Sequence, residues 1–201
     1  MPKRLRREPI YIAPQIIGKI NEDGNPWVFD EITMEELNPN EPYDKIKIYE
    51  RQVKGWFLEP AFKLARYKNE NKGFIVLMIC LSYIEGVEEY KTGQSSRDMS
   101  KEFFRNGLHR IYPELFTNDQ LNRLYREARC GLFHNGMVRG QIIINNQFEN
   151  SLSFPDEETI KISPPKFLKK IADDFDSFLE SLQEDETARS RFSARFSNVN
   201  N

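Results

Sequence analysis

The run FIVLMICL at 74–81 constrains the chain more than any other feature. It is apolar on every side, so the helix it predicts over about 74–91 has its first half in the middle of the packing. Its second half turns amphipathic, with Ile84 and Val87 set against Glu85, Glu88 and Glu89, and Gly93 ends it. The run falls far short of the ~20 apolar residues that a bilayer span needs. With 201 residues, 39% hydrophobic and 30% charged, the rest of the chain reads as one core with decorations. A net charge of −2 excludes a polycation that coats nucleic acid by bulk charge, and leaves room for a local basic site.

Helical period governs about 46–184. A first helix is expected over 50–69, kinked or split at Pro60, followed by a polar link at 69–73. A third helix is expected over 96–111, with Phe103, Phe104, Leu108 and Ile111 in phase. The fourth, over 118–134, has Thr117 and Gln120 in capping-box spacing, Leu121, Leu124, Ala128 and Leu132 as its stripe, and Asn135–Gly136 as its stop. Strand-like runs at 141–145, 152–154 and 159–163 precede a last helix that opens after Pro164–Pro165. The expected architecture is mainly α: a four- or five-helix up-down bundle with a small β insertion before the last helix. Residues 1–45 form an N-terminal extension holding a β-hairpin around the turn signal NEDGNP, and 185–201 form a flexible polar tail.

Basic residues cluster at Lys3, Arg4, Arg6 and Arg7, at Arg123, Arg126 and Arg129, and at Arg189, Arg191 and Arg195. The terminal clusters read as solvated tails. Two cysteines, Cys80 and Cys130, make no disulfide framework and suit a reducing compartment. The start lacks the apolar stretch of a signal peptide. The expected location is the cytoplasm, with no membrane contact.

The segment LYREARCGLFHNGMVRG at 124–140 carries the chemistry. It sets Arg129 and His134 at the end of the fourth helix. An arginine offers a planar, always-charged fork to two phosphate oxygens, and a histidine carries a proton near neutral pH. Arg126, Asn135 and Arg139 extend a phosphate or RNA track, or are solvated and turn-forming. Glu85 and Glu88 orient Arg129, or form a solvated acidic face. Tyr125 reads as core.

An Arg, then four to six residues, then a His, late in a core helix of a small bundle, resembles the HEPN superfamily, over about 50–184. The resemblance implies a metal-independent endoribonuclease that needs no cofactor. It also implies attack by the RNA 2′-hydroxyl to give a 2′,3′-cyclic phosphate, a homodimer with a composite site, and a toxin or defence role with an antitoxin or regulatory partner. The alternative is a HEPN-type module without catalysis that binds RNA or a nucleotide, or mediates dimerisation or a partner contact. Family nucleases usually carry a polar residue straight after the Arg, and here that residue is Cys130. At 100° per residue, positions 129 and 134 point about 140° apart on an ideal helix. Convergence therefore needs loosening at Gly131 or a second copy across a two-fold axis.

Other constellations are thinner. Cys130 and His134 share a helix face, but structural zinc takes four ligands, and the other candidates, Cys80 and His109, lie in a core run and in a structural setting. A Cys130–His134 nucleophilic dyad has no surrounding motif. No Gly-rich phosphate loop and no CxxC pair is present.

Overall fold

The computed structural model describes residues 5–66 and 72–200. Lys3 and Arg4 of the first basic cluster, and residues 69–71 of the expected polar link, lie outside them. Among the described residues are six continuous helices, a four-stranded antiparallel sheet and a three-stranded mixed sheet. This is an α/β fold, and the expectation of a mainly-α bundle of HEPN type is overturned. The cause lies in the first 45 residues, where short apolar runs between Pro and Gly signals read as one hairpin and in fact build a full sheet. The chain divides into two compact units: 1–60 with 90–93 and 178–201, and 61–89 with 94–177.

In the first unit, β1 (Ile10–Ala13), β2 (Ile16–Ile20), β3 (Pro26–Asp30) and β4 (Glu35–Leu37) pair in chain order. The expected turn joins β2 to β3, with Ile20 opposite Pro26. The period of two turns Ala13, Ile16, Val28 and Leu37 inward, and all are buried. Residues 42–66 form α1. It starts at Pro42, well before the expected 50, because proline suits the first helical position, where no N–H partner is needed. Lys54–Leu58 is a π-helical turn inside α1. This widening, just ahead of Pro60, stands where a kink was expected, and Glu59–Arg66 continues as helix.

Buried Asp30 locks α1 to the sheet, taking Lys47 Nζ and Arg51 Nη2 at 3.2 Å each. Gln52 Nε2 donates to the Ile12 carbonyl at 2.7 Å. Burial alone would raise the Asp30 carboxyl, but the Ile32 N–H and these two cations hold it below its ordinary value. The chain's last helix, α6 (Glu186–Asn200), replaces the expected tail. Phe192 and Phe196, four apart and so on one face, are both buried. Phe192 lies 5.3 Å from Tyr49 and 5.7 Å from Tyr90, centroid to centroid.

The second unit takes most of α2 (Gly73–Thr92), then α3 (Ser100–Ile111), α4 (118–135) and most of α5 (Pro164–Glu184). Leu77, Cys80, Leu81, Ile84, Phe104, Leu108, Leu121, Phe167 and Phe175 are its fully buried core. Before α5 come β5 (Gln141–Ile144), β6 (Leu152–Ser153) and β7 (Thr159–Ile162), placed as the sequence runs suggest. Their order is β5-β7-β6, with β7 parallel to β5 and antiparallel to β6. Among the described residues no helix is long and apolar enough to cross a membrane.

Candidate functional site at the C-terminal end of α4

The capping box opens α4. Thr117 Oγ1 accepts from the Gln120 N–H at 3.3 Å, and Gln120 Oε1 accepts from the Thr117 N–H at 2.9 Å. Leu121, Leu124, Ala128 and Leu132 bury the inner stripe. Between Tyr125 and Arg129 the helix widens into a π turn, where the Cys130 N–H reaches back to the Tyr125 carbonyl. Such turns recur at functional sites. Arg129 is its last residue, and regular helix resumes over Cys130–Asn135.

Gly136, at φ 70°, ends the helix in the left-handed conformation. The chain then folds back, and the Arg139 N–H donates to the Glu127 carbonyl at 2.8 Å. A Cβ on Gly131 would stand 2.7 Å from the Met137 carbonyl oxygen. Gly131 therefore permits a close backbone approach and does not loosen the helix; the loosening lies one turn earlier. The stretch from Arg129 to His134 stays helical, and the two side chains are not brought together within one chain by unwinding.

Arg129 is turned onto α2. Its Nη2 donates to Glu85 Oε2 at 2.7 Å. Glu85 Oε1 in turn accepts from the Ser96 hydroxyl at 2.9 Å and from the Ser100 hydroxyl. Both charged side chains are mostly covered, at 19% and 14% exposure. The guanidinium carbon lies 5.5 Å from the Tyr125 ring centroid and 5.0 Å from that of Phe133, within cation–π range. Burial raises the Tyr125 phenol, while the Ser100 hydrogen bond and the Arg129 charge act in the opposite sense. Arg129 is thus held by one carboxylate and two rings. Its Nε and Nη1 have no partner among the described residues.

The other nominated residues fare differently. Glu88 pairs with Arg110, which also grips Asp174. Arg126 Nη2 sits 3.0 Å from Glu127. Arg139 donates to the Asn135 side-chain oxygen. His134 is exposed, with no hydrogen-bond partner among the described residues. Arg123 donates to the carbonyls of Glu157 and Glu158 and lies over the Phe154 ring at 5.7 Å, which ties α4 to the strand insertion. His109 Nε2 stands 2.8 Å from Asn118 Oδ1.

Sequence reasoning missed Ser96, Ser100 and Phe133. No local periodicity announces the serines, which reach Glu85 through tertiary structure. The i,i+4 spacing of Arg129 and Phe133 was an available signal. No known protein family, curated protein or solved structure matches the chain.

Proposed function

We propose that the end of α4 is a phosphate-recognition site for RNA and that, in a pair of copies, it cleaves RNA without a metal. The single observation behind this reading is the state of Arg129. Its guanidinium is oriented by Glu85 at 2.7 Å, while two of its N–H-bearing nitrogens have no partner among the described residues, and an exposed imidazole stands five residues further along the helix. An arginine held in place with spare N–H donors on Nε and Nη1, which lie on different edges of the guanidinium, can give a charge-assisted hydrogen bond to a phosphodiester oxygen.

In this reading His134 takes the proton of the RNA 2′-hydroxyl. The 2′-oxygen attacks phosphorus and the bond to the 5′-oxygen breaks. The departing oxygen then receives a proton from an imidazolium, leaving a 2′,3′-cyclic phosphate. Arg129 neutralises the charge on the phosphorane. Since 129 and 134 diverge on one regular helix, the arginine and the histidine of a working pair come from two copies. The resemblance to HEPN nucleases points the same way, and with it to a cytoplasmic toxin or defence role checked by a protein partner.

One observation favours the second reading, a module that binds RNA or a nucleotide without cutting it. No described residue holds the His134 ring, whereas a catalytic histidine is ordinarily oriented by a third group. Cys130, in place of the polar residue after the family arginine, agrees with that reading. The test is incubation of mixed RNA in excess chelator with the native chain and with His134→Ala. Chelator-resistant cutting that disappears in the variant supports the enzyme, retention of uncut RNA supports the module, and no interaction removes both.

A further inference from the structure

Of the two rings that lie against Arg129, that of Phe133 is exposed. Phe133 is 42% exposed, whereas Phe104, Phe167, Phe175 and Phe178 are fully buried. It sits four residues after Arg129 and one before His134, in the final turns of α4. The Arg129 guanidinium covers part of the ring at 5.0 Å and the remainder faces solvent. Met137, next along the surface, is 60% exposed. An aromatic side chain left in water beside an arginine with spare N–H groups offers two things at once, a flat apolar surface and a phosphate anchor, with 5.0 Å between ring centroid and guanidinium carbon.

Charge agrees with a polyanion. Arg123, Arg126, Arg129 and Arg139 lie on this segment of chain, against Glu85 and Glu127. The side-chain partner of Arg139 is a neutral amide oxygen, so its charge is not cancelled. We infer that Phe133 is a stacking platform for an unpaired base, so that this site takes single-stranded RNA and turns duplex away. The inference rests on the reading of the α4 end as an RNA site. Its physical basis is that bases in a duplex have both faces occupied by neighbours, and A-form grooves show proteins edges and sugars. Only a splayed base has a face to lay on a ring.

The test measures affinity at low salt for three probes of equal length: a labelled single-stranded oligoribonucleotide, its blunt duplex, and a ribose-phosphate oligomer without bases. The native chain is expected to bind the single strand about ten-fold more tightly than either other probe, the size of one stacked base. Phe133→Leu keeps an apolar side chain and should erase that advantage without weakening the base-free oligomer. Phe133→Trp should keep it, and Arg129→Ala should weaken all three. Because Phe133 is exposed, the variants should melt with the native chain. Equal affinity for single strand and duplex overturns the stacking role. So does Phe133→Leu weakening the base-free oligomer equally, since the ring would then only steady Arg129. RNA affinity that Arg129→Ala leaves unchanged removes the site itself, and the stacking role with it.

Discussion

Two arginines of the second unit are each tied to a glutamate of α2, and they end in opposite conditions. Arg110 is saturated: Nε and Nη2 grip Asp174 at 2.8 and 3.0 Å, Nη1 grips Glu88, and the Tyr83 hydroxyl closes on the same Asp174 at 2.8 Å. Burial opposes the charge, yet the Asp174 and Glu88 carboxylates raise the Arg110 guanidinium above its ordinary value. Arg129 has one carboxylate and two rings. The number of acceptors around the fork, and not the local density of basic residues, separates a strut from a hand held out. Arg110 belongs to none of the basic clusters, whereas Arg123 and Arg126 belong to one and are engaged with carbonyls or a carboxylate.

That contrast can be broken in several ways. The largest effect should come from His134→Ala, which under the cleavage reading lowers chelator-resistant RNA cutting by about 10²–10⁴-fold with the melting temperature nearly unchanged. A mixture of His134→Ala and Arg129→Ala chains should recover about a quarter of native activity if each site draws on two copies, and none if each chain works alone. Next, Arg110→Ala leaves Glu88 and Asp174 buried without their cation. It should cost about 3–5 kcal/mol, read as a lower urea midpoint, whereas Arg129→Ala should cost well under half of that. Equal losses would erase the distinction between the two arginines. Glu85→Ala should lower turnover at saturating RNA about ten-fold with little change in apparent affinity, as expected of a group that positions another. A pure loss of affinity would count against that role. The smallest effect belongs to Arg126→Ala, about two-fold in affinity with a shallower salt dependence.

What could be read in the sequence were features whose cause is local. The α2 run, the α4 capping box, the Gly136 stop and the three strand-like segments at 141–163 each follow from neighbours within a turn or two, and the structure has them all. What escaped depended on distant partners. The first 45 residues offered a hairpin because only one strong turn signal stands out. The four-stranded sheet exists because α1 supplies Lys47, Arg51 and Gln52 to hold its Asp30 and Ile12. The polar composition of 185–200 suggested a tail, and only the aromatic neighbours Tyr49 and Tyr90 make burying Phe192 and Phe196 favourable. At the candidate site, the Arg129–His134 pattern was visible as spacing. The pairing of Glu85 with Arg129 was one of the two expected for that helix face and is present; that of Glu88 with Arg110 was not visible, since the two glutamates share a helix and their partners come from different ones.

The first unit is assembled from three separate stretches, 1–60, 90–93 and 178–201, with the second unit's residues lying between them in sequence. Its aromatic cluster needs both Tyr49 and Phe192, which stand far apart in sequence. A nascent chain must therefore carry a half-finished core until α6 emerges. A product that stops before residue 186 would leave Tyr49 and Tyr90 without these partners, in the kind of sticky, unsealed intermediate that chaperones and proteases recognise.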